Sequence, residues 1–388
     1  MAAFPTGTQW SLAVLDLEDL PSRLDPRRLD AALRRDLLPS WPDEAALRDP
    51  DLSKDGWGAL QGHAGAAWVG STAVWVARSY RRPRASKHAV RAAVETRKAY
   101  CVKHGLPWGP REEEDFTKRE EEATRRSSTP TVRDVPILLD FAAGRLVVLG
   151  ATDAAIEGLV SRVRYLIAGA RGVEGLNKAT PHDLASHLLR SRGAVGAPSW
   201  AGSRFLQDVD ARSGRWLQVA NGPVVGVRDT YDAQATVAVE SSKGVVRAKG
   251  SGIAVVHRSL MESGDDRVQL RSIGVELWTT AHEAYRIGFS HTGAIRTVTL
   301  PRLERSVGVA EHLVARCASI EVMLQMVDAM YHAFDVGPLS EALALDPQRP
   351  LYESAPTCAG VRWTLHNPTP PETRGQLSLV SPNAEVHP

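Results

Sequence analysis

Cysteine is scarce: three in 388 residues, Cys101, Cys317 and Cys358. They lie too far apart for a disulfide framework or for the paired ligands of a structural zinc site, so a reducing compartment is expected. Long apolar runs are missing too. Nothing approaches the roughly 20 residues of a membrane-spanning helix, and MAAFPTGTQW has neither a basic nor an apolar leader region. The expectation is a protein of the cytosol with no membrane contact. The dipeptide Gly-Lys does not occur, which excludes a phosphate-binding loop of the ordinary ATPase type. HExxH and GxSxG are absent as well.

What remains of catalytic chemistry is thin. KGSGIAVV has glycines but not the full dinucleotide fingerprint, and turn glycines explain it. Cys101 and His104 have ligand spacing without a second pair, so a lone helical cysteine is the better account. A metal-dependent nuclease is the enzymatic rival. Such sites often place a carboxylate two residues before a lysine, and none of the eight lysines has one. Asp140, at a strand end across a turn from Arg145, stays open as a lone acidic ligand against the plainer reading of a solvated turn carboxylate. His182 and His187 are five apart, off the i, i+4 spacing, and are expected at the surface.

The elements read as α+β with antiparallel sheets. TQWSLAVLDL is a strand. Asp25 caps a helix with Pro26 at its first position, and AAWVG and TAVWVARSY form a hairpin about Gly70-Ser71. KHAVRAAVETRKAYCVKHG has helical periodicity behind Ser86, with Val90, Ala93, Val94 and Cys101 as its apolar stripe. REEEDFTKREEEATRR is either a solvated helix or a mobile arm. VPILLDFAAGRLVVLG gives two strands about Ala143-Gly144, and a helix follows with Thr152 as cap, Ile156, Leu159, Val160, Val163 and Ile167 on one face, and Gly169 as stop. A second strand–strand–helix unit recurs in SIGVELW, AYRIGFS, AIRTVTL and a long amphipathic helix. The methionines of that helix, Met323, Met326 and Met330, suit core packing better than partner binding. The blocks are 1–80, 81–135 (basic helix and charged arm), 136–215, 216–344, and a Pro-rich tail, 345–388, expected to be mostly disordered.

Charge is segregated. The net charge is +2, yet residues 78–103 carry +8 while their neighbours on both sides are acidic. Arg78 to Lys98 holds eight Lys or Arg and one acid. At 100° per residue Lys87, Arg91 and Lys98 fall in a row along the edge of the apolar stripe. In KGVVRAKG, Arg247 and Lys249 alternate onto one side of an extended segment. A charge run is often only a solvated face. Two strips of one sign on different elements, however, are what a polyanion groove needs.

The order of these features resembles the RdgC family of recombination-associated proteins, from about Trp10 to Phe334. The carriers are Gly56-Trp57, AVWVARSYRRPRASKHAVRAAVETR, ILLDFAAGRLVVLGATDAAIEGLVSRVRYLI, VVRAKGSGI and VELWTTAHEAYRIGFSHTGAIRTVTLP. The resemblance implies a U-shaped α+β subunit, a homodimeric ring around double-stranded DNA, a nucleoid location and restraint of a RecA-type recombinase, with no catalysis, nucleotide, cofactor or metal. Carried over, the DNA-binding residues are Arg78, Arg81, Arg82, Arg84, Lys87, Arg91, Lys98, Arg247 and Lys249. This chain departs from the family in its acidic arm at 112–115, and EEEATRRSSTPTV has no aromatic to close a ring.

Overall fold

The computed structural model describes residues 9–18, 20, 24–49, 51–60, 65–150, 153–172, 178–192, 201–219, 223–239, 242–249, 268–303, 308–339 and 361–365. Among them no helix is long and apolar enough to cross a membrane. Backbone contacts group the chain into two compact units, Met1–Gly7 with Ser11–Thr180, and Thr8–Trp10 with Pro181–Pro388. Both are α+β, with antiparallel ladders and packed helices. Strands on either side of the 81–130 segment pair with each other, so blocks 1–80 and 81–135 and the first part of 136–215 share the first unit.

The first unit orders its strands β1 (Gln9–Leu17), β6 (Arg145–Leu149), β5 (Thr131–Asp140), β4 (Thr72–Arg81) and β2 (Ser53–Gly58), with β3 (Ala67–Val69) also paired to β4. Its helices are α1 (Pro26–Arg35), α2 (Glu44–Arg48), α3 (Lys87–Lys103), α4 (Pro110–Ser127) and α5 (Asp153–Arg171). Local chemistry sets the boundaries. Asp25 accepts the Arg27 N–H at 3.0 Å to start α1, and left-handed Gly70 and Gly144 turn the two hairpins. Helix α5 passes through Gly169 and stops at Gly172, whose φ is 67°. The left-handed glycine is the terminator, so the expected stop falls three residues early. Thr152 lies outside the described residues.

Strand alternation builds the core of this unit. Ala73, Trp75 and Ala77 of β4, Val135, Ile137 and Leu139 of β5, and Leu146 and Val148 of β6 join one cluster with Leu29 and Leu33 of α1 and Leu159, Val163 and Ile167 of α5. Each large side chain buried here stabilises the fold by about 1.5–3 kcal/mol. Trp57 meets Trp75 edge to face, 6.3 Å between centroids. Gly56 beside it is required by contact: an added Cβ would sit 2.4 Å from Leu38 Cγ and 2.5 Å from the Asp36 carbonyl oxygen.

Strand β7 (Ala179–Pro181) lies where the sequence passes into the second unit. There the order is β14 (Val361–Leu365), β8 (Arg215–Val219), β9 (Val224–Val239), β11 (Val268–Trp278), β12 (Ala284–Ser290) and β13 (Ile295–Thr299), with β10 (Ser242–Lys249) also paired to β9. The helices are α6 (Leu184–Arg192), α7 (Ala201–Ala211) and α8 (Val309–Phe334), the last running into a π-helical turn, Asp335–Leu339. Phe205 of α7 gathers Phe289, Tyr331 and Phe334 at 5.3–5.6 Å. Met323, Met326 and Met330 are buried, as core packing requires. Within the Pro-rich tail, Val361–Leu365 pairs with β8, Trp363 opposite Leu217. The rest of 345–388 lies outside the described residues.

Candidate nucleic-acid interface

Strand β4 delivers the basic run to the start of α3. Ser86 caps that helix through the Ala89 N–H at 3.4 Å, and Val90, Val94 and Cys101 are buried along one side. At the far end Gly105 takes φ 66° and the Leu106 N–H bonds to the Cys101 carbonyl at 2.9 Å, a glycine stop that reverses the chain. The acidic arm is therefore α4, packed back along α3. Arg82 near the start of α3 reaches the end of α4, and Lys98 near its end reaches the start of α4.

The structure sorts the nine candidate cations into four groups. Arg78 is 3% exposed and is corrected out of the interface. Its guanidinium holds Asp134 at 2.7 and 2.9 Å and the Leu38 and Pro39 carbonyls at 3.2 and 2.8 Å. The Asp134 hydrogen bond outweighs burial and raises its pKa. Arg81 grips both oxygens of Asp55 at 2.8 Å, and Arg82 spreads its nitrogens over the carbonyls of Leu47, Asp49, Arg125, Arg126 and Ser128. Both are tied internally.

Arg84 and Lys87 are exposed, and among the described residues neither has an ion-pair partner. Arg91 is exposed beside Glu95 at 3.2 Å, one turn along, and Lys98 lies 3.9 Å from Glu113. Arg247 and Lys249 stand two positions apart on β10 of the second unit, opposite Gln234 and Asp232 of β9. The exposed candidates of the basic run are therefore Arg81, Arg84, Lys87, Arg91 and Lys98, of which Arg84 and Lys87 have no carboxylate partner among the described residues. Sequence reasoning missed two further exposed cations on α3, Arg97 and Lys103. Both were visible in the charge count but lie off the chosen row. Arg97 sits 5.3 Å over the Tyr100 ring, which also meets His104 at 4.3 Å.

No family model matches this sequence, and no curated protein matches it.

The other candidates resolve as structural. Asp140 Oδ1 accepts the Ser71 hydroxyl at 3.0 Å and the Ala142 and Ala143 N–H groups at 2.9 and 3.2 Å, so it is the carboxylate that builds the β5–β6 turn. Cys101 is a buried helix residue. His182 is corrected from surface to core: its side chain is fully buried, 3.1 Å from Asp328 and against Tyr331. His187 is half-buried on the same tyrosine. Spacing misjudged both because their environment is made by α8, more than a hundred residues away in sequence.

Exposed apolar side chains also mark the hairpin end. Tyr100, Val102 and Leu106 are 48%, 72% and 45% exposed.

Proposed function

We propose that this protein binds double-stranded DNA through phosphates, without reading sequence, along α3. The observation that carries the reading is the division of α3 into a packed side, Val90, Val94 and Cys101, and an exposed basic edge that begins at Arg84 and Lys87, which are free among the described residues, and continues to Arg91. Such cations displace condensed counterions wherever a phosphate backbone passes and position a protein without discriminating bases. The family resemblance adds Arg247 and Lys249 to the proposed phosphate contacts. Two copies enclose the duplex, docking through Tyr100, Val102 and Leu106, whose exposure supports a contact with a second chain. Occupied duplex then restrains a RecA-type recombinase. No nucleotide, cofactor or metal takes part.

The test is reversal of Arg84, Lys87 and Arg91 together to glutamate, followed by titration onto unrelated 30-mer duplexes over a range of salt. Affinity falls equally for every sequence, and the log–log salt slope drops by about 0.9 per contact removed. Unchanged binding would remove α3 from the interface.

A further inference from the structure

The cation row on α3 does not end in open solvent. Lys98 Nζ lies 3.9 Å from Glu113 Oε2, and the groove beside it is walled by Trp108, Glu113, Glu114, Thr117, Lys118 and Glu121. Glu113 is fixed there. The same Oε2 accepts the Trp108 indole N–H at 3.2 Å, and Trp108 packs edge-on against Phe116 at 5.9 Å. Glu114 is held by Lys118 at 2.7 Å, which uses that lysine's charge within α4. Lys98 therefore shares its groove with the carboxylates of Glu113, Glu114 and Glu121. Arg84 and Lys87, at the other end of α3, face no such carboxylate among the described residues.

We infer that α4 is a built-in competitor: its carboxylates hold Lys98 away from DNA and set the length of the phosphate strip that α3 offers. This rests on the DNA-binding reading and concerns the same surface. A cation shared with a nearby carboxylate releases less counterion on meeting a phosphate; Arg91 is discounted in the same way by Glu95 on its own helix, so α4 accounts for the Lys98 contact alone. The pair is half-exposed, so the effect is modest and salt-screened. Phosphate contacts concentrate at the Arg84 end, and neutralising α4 lengthens the strip by one contact.

The experiment uses the full chain and fluorescence anisotropy on labelled 30-mer duplexes of unrelated sequence. Lys98→Gln alone leaves affinity within about twofold of the parent, whereas Lys87→Gln weakens it. Glu113→Gln, Glu114→Gln and Glu121→Gln together tighten binding about fivefold, the upper end for an exposed ion pair. The same triple raises the salt slope by about 0.9. Glutamine keeps an acceptor for the Trp108 N–H, so the hairpin survives. Adding Lys98→Gln to the triple returns both quantities to the parent values. Two results overturn the inference while leaving DNA binding intact: Lys98→Gln weakening the parent as much as Lys87→Gln, or tightening that persists in the triple once Lys98 is gone. Absence of duplex binding by the parent and every variant overturns the underlying reading, and the inference with it.

Discussion

Arg78 and Asp134 stand opposite each other on β4 and β5 and form a two-pronged ion pair, with the guanidinium 3% exposed. The arginine's third nitrogen donates to the Leu38 and Pro39 carbonyls, so one side chain joins the sheet to the loop after α1. Arg78→Ala strands a carboxylate and the Leu38 carbonyl, while the Pro39 carbonyl keeps the Tyr80 hydroxyl. It is expected to cost about 2–3 kcal/mol, discounted because Asp134 is partly exposed. A urea titration followed by far-UV circular dichroism measures it. Loss of DNA binding with unchanged stability would return Arg78 to the surface.

Arg82 has a related task at two helix ends. Its donors reach the last-turn carbonyls of Leu47 in α2 and of Arg125 and Arg126 in α4, and its charge suits their negative pole. Arg82→Gln is expected to fray the last turn of α4 and lower stability by about 1–2 kcal/mol. Amide hydrogen exchange at the C-terminal end of α4 should quicken while β4 stays protected. Uniform protection in both would show that the carbonyls find other partners.

These two arginines show where the sequence was legible and where it was not. The elements follow local signals: Asp25-Pro26, Ser86, Gly70 and Gly144 each stand where a cap or turn was expected, because caps and turns depend on neighbours within a few residues. The fate of a charge depends on what folding places beside it. Arg78, Arg81, Arg82, Arg84 and Lys87 look alike in a charge count. Yet Asp134 is 56 residues from Arg78 and Asp55 is 26 from Arg81, and neither pairing has a sequence signature. Helical phase fared better. It put Lys87, Arg91 and Lys98 on an edge beside a buried stripe, and all three are exposed while Val90, Val94 and Cys101 are not. It could not reveal that α4 folds back and sets Glu113 beside Lys98.

Gly56 gives a sharp packing test. Its chain neighbour Trp57 exchanges backbone hydrogen bonds with Asp36 and Leu38, at 2.9 and 2.7 Å, which draws the segment after α1 onto β2. A methyl group at 56 would overlap both Leu38 and the Asp36 carbonyl, and a backbone oxygen cannot rotate aside. Gly56→Ala is expected to cost about 1–3 kcal/mol through forced displacement. Thermal unfolding of the variant should shift down, with Trp57 fluorescence altered in the native state. An unchanged melting temperature would show that the segment slides without penalty.

His187 gives the second unit a pH dependence. It lies 5.7 Å from the Tyr331 ring, centroid to centroid, on α6, with Asp328, His332 and Asp335 on the α8 side and Arg190 on its own helix. Burial lowers its pKa below the ordinary value of 6.5, and the attraction of Asp335 and Asp328 does not offset this. The unfolded chain therefore takes up the proton first. The stabilisation is complete above about pH 6.5 and is lost as the pH falls through the lower folded-state value, with about 1.4 kcal/mol for each unit of separation. Denaturation midpoints of the parent should decline between pH 7.5 and 5.5, and His187→Leu should flatten that decline while carboxylate-dependent losses at lower pH remain. Equal slopes in parent and variant would mean that His187 is reached by solvent in the folded protein and titrates as it does in the unfolded chain.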